Sequence, residues 1–213
     1  MKINYEFSMN NYIQEKLKIG LFCISDIITV LIETLKYISW KEPSSHNSTK
    51  LKIVINKMNR VFYIFDKKFF SIGLPFQVTI GDAGCIIKDL KTNIIIDNKL
   101  LSLVEAFFRK YNPIYESDIV SIFEQFFEET PELSKDEKYR IRIISLRLLS
   151  FEYGYIRYED DIERENGLKH PRYHFDINYQ DGCKYKIGLD KSIDDNWFCD
   201  CLDITKECKV IKV

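Results

Sequence analysis

The sequence predicts an α+β fold with antiparallel sheets, and three observations carry that prediction. Short β-branched and aromatic runs fill residues 51–97, apolar positions recur at steps of three and four on both sides of them, and strict alternation returns after residue 153. Strands joined by only a few residues must pair antiparallel, because a parallel crossover needs a dozen or more. With 213 residues the chain has room for one large domain or two small ones, and 46% hydrophobic content with 15 Phe and 13 Tyr excludes a disordered polymer. A net charge of -1 supplies no overall field toward nucleic acid or an anionic membrane, so any such contact has to be local. The reading divides the chain into residues 1–150, a helix plus antiparallel meander and helical middle, and residues 151–213, an antiparallel sheet with a short helix, with one continuous domain as the alternative. The second part carries 10 Lys+Arg against 14 Asp+Glu.

Residues 11–40 read as one long bent helix, or two in succession, with Leu17, Leu21, Ile24, Ile28, Leu31, Leu35 and Ile38 at helical spacing and Gly20 at the bend. The wide apolar face predicts burial on more than one side, which makes this helix core and not a cofactor box. Asp26, Glu33 and Lys36 interrupt it, so no membrane span is expected. Residues 1–6 lack the basic-then-apolar pattern of a leader, and the six cysteines include no Cys-x-x-Cys pair. A cytoplasmic protein with reduced thiols is the expectation. The polar residues 41–50 form a connector.

Strands are then predicted at 51–55, 61–65, 76–80, 86–90 and 93–96, as a single meander. Gly81-Asp82-Ala83-Gly84 is read as a turn, because it lacks the spacing and following helix of a phosphate loop. Helices follow at 98–111, from a cap at Ser117 or Asp118 through Phe127, and from the Ser134-x-x-Glu137 capping box to about residue 151. Alternation at 139–143 offers a strand as the competing reading. Arg140, Arg142 and Arg147 interleave with aliphatic residues, as arginines at the edge of a core do.

The richest segment is His170 to Tyr179. At a period of two, Tyr173, Phe175, Ile177 and Tyr179 form an apolar face, while Arg172, His174, Asp176 and Asn178 form a polar one. Residues 153–159 precede it as a strand, and a polar loop spans 160–169. The partner strand 183–189 has its apolar positions at odd numbers, so cross-strand partners must share parity. A three-residue loop pairing Tyr179 with Cys183 satisfies this, with Gly182 forming a bulge. Asp176 then faces Lys186, Asn178 faces Lys184, and His174 faces Gly188, which would leave an open notch above the polar face. A helix near 192–202 and a final strand at 209–213 close the prediction.

Three chemistries compete for that notch. His174 can act as general base, with Arg172 and Lys186 stabilising an oxyanion or phosphorane and Asp176 orienting the imidazole. His170, His174 and Asp176 can hold a metal with Cys199 or Cys201. Pro171 shifts His170 toward the loop, however, and the two cysteines fall on different sides of a helix, so neither metal nor cofactor is expected. Alternatively, His170 caps the loop, His174 hydrogen-bonds inside a packed interface, and the face docks another chain, with Arg157, His170, Asn178 and Lys184 as binding residues. A plain solvated sheet surface with an Asp–Lys pair is the bland counterpart, and the residues leave these open.

Tyr155-Ile156-Arg157-Tyr158-Glu159-Asp160-Asp161, His170-Pro171-Arg172-Tyr173-His174, Cys183-Lys184-Tyr185-Lys186-Ile187 and Trp197-Phe198 together resemble the bacterial proteins grouped as domain of unknown function 2290. The resemblance covers the last third of the chain. Glu159 and Lys184 depart from it, standing where the family pattern has a different acid and an arginine. It implies a bacterial cytoplasmic protein from a mobile-element or antiviral-defence locus and directs attention to Arg157, His170 and His174, without implying an activity. The expectation is therefore a defence-type component that binds a protein partner or nucleic acid through the face around His174. The alternatives are a small metal-independent nuclease toxin using His174, and a structural subunit of a larger ATPase or nuclease complex.

Overall fold

In a computed structural model, residues 3–17, 23–43, 49–55, 59–82, 84–113, 118–180 and 183–209 are described, those at 3, 17, 178–180, 183 and 184 by backbone alone. The architecture is α+β, with a seven-stranded antiparallel sheet and a separate two-stranded one. The chain divides into two compact units, each built from discontinuous segments. One comprises residues 1–18, 43–74 and 153–213, the other 19–42 and 75–152. The boundary expected at residue 150 therefore separates segments that pack together: the late hairpin joins the sheet begun near the N-terminus.

The first unit holds β1 (Ile3–Ser8), α1 (Asn11–Leu17), β2 (Lys50–Ile55), β3 (Arg60–Ile64), β4 (Lys68–Gly73), β7 (Tyr155–Asp160), β8 (Tyr173–Gln180), β9 (Cys183–Gly188) and α6 (Asp195–Cys201). All seven strands are hydrogen-bonded in the order β1-β2-β3-β4-β7-β8-β9. One face carries the row Ile64, Phe69, Tyr158, Phe175 and Ile187, strand to strand in register. Helix α6 lies on that face, and its Phe198 ring sits 6.0–6.2 Å from the rings of Phe62, Phe69 and Phe175. Asp194 caps α6 by accepting from the Trp197 N–H, and Lys50 and Lys52 both pair with Asp195 at 2.9 and 3.1 Å. Those ion pairs tie its first turn to β2.

The other face changes character along the sheet. On β1 to β4 it presents Phe7, Leu51, Ile53, Val61, Tyr63, Phe70 and Ile72, all buried. On β7 to β9 the same face continues as Arg157, Glu159, His174, Asp176 and Lys186.

The second unit contains α2 (Ile24–Trp40), the hairpin β5 (Gln77–Gly81) and β6 (Gly84–Lys88), α3 (Asn98–Tyr111), α4 (Ile119–Glu129) and α5 (Lys135–Leu149). Asp97, Asp118 and Ser134 cap the last three helices, Ser134 within a complete capping box. Phe107 stacks on Phe123 at 4.5 Å. Arg147 pairs at 2.9 Å with buried Asp89, Arg140 donates to the Ile95 carbonyl, and Arg142 lies over Phe123 and Phe127. These arginines are structural, as their interleaving with aliphatic residues predicts.

Several expectations are revised. Between residues 11 and 40 the described residues form two helices in succession, the second of the two arrangements expected there, and the long N-terminal helix of the fold prediction is not found. The first is short and belongs to the sheet unit, while α2 belongs to the other. The predicted meander is split between two sheets, and β4, unforeseen, pairs with β7 across more than eighty residues of sequence. Residues 139–143 are helical. Ser117, the tip Asp181-Gly182 and residues 210–213 of the expected final strand lie outside the described residues. Among the described residues no helix is long and apolar enough to cross a membrane.

Candidate functional site

Strand pairing places Glu159 opposite His174 opposite Gly188, and Arg157 opposite Asp176 opposite Lys186. These rows follow from one fact of sequence. Ile156, Tyr158, Phe175, Ile177 and Ile187 must face the aromatic cluster under α6, so their neighbours turn to the other side. The parity-based register thus holds through the body of the hairpin. Its end differs, because Gln180 pairs with Cys183 and the irregularity sits between Asn178 and Gln180. The extra residue is taken up in β8 at Tyr179, not in the loop.

His174 is 0% exposed. Its Nδ1 lies 2.8 Å from the Pro171 carbonyl, which can only accept, so that nitrogen carries a proton. Nε2 is left to accept, and the Lys186 ammonium donates to it at 2.8 Å. The same ammonium donates to Asp176 Oδ1 at 2.6 Å. Glu159 Oε2 and Asp176 Oδ1 each stand 3.7 Å from Nε2. Arg157 pairs with Asp176 and, through Nε at 3.3 Å, with Glu159. Burial alone would push the Asp176 carboxyl up. The hydrogen bond from Lys186 and the charge of Arg157 outweigh it and hold the group below its ordinary value.

The loop between β7 and β8 is fastened over this face. Asp161 accepts from His170 Nε2 at 3.1 Å and from Arg164 Nε at 2.7 Å, and Arg164 also reaches Glu159. Asn166 and His170 exchange backbone hydrogen bonds around the short 3-10 turn Gly167–Lys169. The His170 ring meets His174 edge-on at 4.9 Å between centroids. An open cleft of about 220 Å³ lies beside Glu159, with Lys67, Lys68, Ile162 and Arg164 in its lining.

Two parts of the expected site are corrected. Arg172 does not join His174 and Asp176. It pairs with Asp160 at 2.7 Å and lies over the Tyr173 ring, whose side chain packs against the aromatic cluster of the opposite face. Alternation does not reach Arg172 because β8 begins only at Tyr173. The notch opposite His174 is not open either. A Cβ on Gly188 would stand 2.9 Å from Pro171 Cγ, so proline fills the space that glycine vacates. Gly188→Ala should therefore displace the Pro171 turn and weaken the His174 bond to its carbonyl. Faster amide exchange in residues 170–174, with the helical unit unchanged, is the expected hydrogen-exchange result.

Asp176, Lys186, Arg157 and His170 do converge with His174. Asn178 and Lys184 pair through their backbones, and their side chains lie outside the described ones. Cys199 packs in the aromatic cluster of the other face, where burial pushes its thiol up to about 12, and burial also raises Cys201. Neither is placed to ligate an ion with His174. Glu159 was missed as a site residue, although the parity of apolar Tyr158 already assigns it to this face. Comparisons of this chain with protein families, with curated proteins and with solved structures find no match.

Proposed function

We propose that this protein works by binding a protein partner through the fastened loop 161–172 and the ionic face beneath it, as a component of a bacterial defence-type system. The observation that carries this reading is Leu168, which is 100% exposed at the apex of a loop held by the Asp161, Arg164 and His170 contacts, with Ile162 54% exposed at its start. An apolar side chain on a braced support makes a pre-organised anchor, since little ordering remains to oppose association. The defence setting rests on the sequence resemblance alone.

A nucleic-acid ligand fits less well. Phosphate recognition needs cations that are available to the backbone, whereas Arg157, Arg164 and Lys186 each face carboxylates of this same network. Residues 151–213 also carry 10 basic against 14 acidic side chains. The metal-independent nuclease fits less well again. A general base must reach its substrate, and His174 is buried with Nε2 accepting from Lys186 and the Nδ1 proton engaged by Pro171.

Affinity capture with the whole chain, compared with Leu168→Asp, tests the proposal. A stoichiometric protein should co-elute with the wild type, survive nuclease treatment, and be lost with the variant. Recovery of RNA or DNA that disappears at high salt and ignores Leu168→Asp would favour nucleic-acid binding. Degradation of RNA in EDTA that is abolished by His174→Ala would favour the nuclease.

A further inference from the structure

Glu159, His174 and Asp176 each turn one ligand atom toward a common point, and these atoms all lie within 4.8 Å of one another. His174 is built as metal-ligating histidines are. Its Nδ1–H is committed to a backbone carbonyl, which fixes the ring and directs the Nε2 lone pair at the two carboxylates. The carboxylates have outer partners of their own: Arg157 and Arg164 hold Glu159, and Arg157 holds Asp176. Ligands bound at about 2.1 Å to one ion stand about 3.0–3.4 Å apart. The 3.7 Å from Nε2 to each carboxylate needs a few tenths of an ångström of closure, and the two carboxylates, within 4.8 Å of each other, must close by about an ångström more once Lys186 leaves.

What sits among these donors is a cation already, the Lys186 ammonium, bonded to both Nε2 and Asp176. Its side chain is 34% exposed and ends a flexible stem on the edge strand β9, so it can leave toward solvent.

We propose that Glu159, His174 and Asp176 form a site for a divalent transition-metal cation, with one nitrogen and two carboxylate ligands suited to Mn²⁺ or Zn²⁺, and that Lys186 holds the site closed until the ion displaces it. Arg157 stays in place as the outer partner of both carboxylates. Because Arg164 and His170 belong to the same network, the bound ion brings the loop that carries Leu168 under its control. The site itself does not depend on the partner reading.

Mn²⁺ alone is the probe, titrated into the full chain and followed by loss of the free-ion electron paramagnetic resonance signal. Lys186→Gln should bind one Mn²⁺ at least tenfold more tightly than wild type, because it removes the resident charge. Glu159→Gln should bind at least tenfold more weakly, and both should keep the wild-type circular dichroism in EDTA. No bound Mn²⁺ at millimolar concentration in Lys186→Gln would overturn the proposal. Binding that is unchanged by Glu159→Gln would overturn it too, since the ion would then sit elsewhere. Neither result bears on capture by Leu168.

Discussion

Phe198→Ala is expected to destabilise the sheet unit by about 3–5 kcal/mol, the usual loss when a fully buried aromatic side chain is truncated. Phe198 is 0% exposed and contacts rings from β3, β4 and β8, so it is the point at which α6 closes the core. Around it pack Tyr158, Ile193, Trp197 and Leu202, and the backbone N–H of Ile193 donates to the Tyr158 hydroxyl. Urea unfolding followed by Trp197 emission in a Trp40→Phe background reads this unit by itself, because Trp40 lies in the other unit. A midpoint within error of the parent would mean that α6 is not docked as described.

Asp176→Asn should have the next largest effect, about 2–3 kcal/mol. The substitution leaves Lys186 and Arg157 on a largely buried face without their shared carboxylate, and the solvent access of Lys186 keeps the loss below that of a fully buried pair. The pH dependence has a definite sign. Asp176 titrates lower in the folded chain than the usual carboxylate value of about 3.9, so its contribution is present in full above that value. It disappears as pH falls below about 4, through the folded-state value. Wild type should therefore lose more stability than Asp176→Asn over that acid range, and the two curves should converge. Parallel curves from neutral to acid pH, read by the same Trp197 signal, would contradict the assignment.

The sequence made the late hairpin legible because apolar parity leaves a strand little choice: shifting one residue would turn Phe175, Ile177 and Ile187 into solvent. Helices α3, α4 and α5 were legible for a local reason as well, since Asp97, Asp118 and Ser134 supply caps where apolar periodicity begins. Long-range pairing was not legible. Nothing near Lys68 to Gly73 announces β7 as its neighbour, and it is this pairing that binds the two ends of the chain into one sheet. Pro171 lies just before β8, where alternation stops being a guide, so sequence spacing could show neither that proline fills the space over Gly188 nor that Arg172 turns away from His174. The ionic face was read as a surface open to ligand for that reason. The loop that covers it is long enough to take any path, and its braces, Asp161 with Arg164 and His170, depend on that path.

The central claim is that these side chains form a closed network centred on a buried His174 whose Nε2 accepts from Lys186. Nitrogen-15 correlation spectra of the imidazole at about pH 8, where histidines are ordinarily neutral, test it most directly. The account predicts a single slowly exchanging tautomer, with the proton on Nδ1 and an unprotonated Nε2 whose shift moves in Lys186→Gln. A proton on Nε2, or averaged signals indifferent to Lys186, would contradict it.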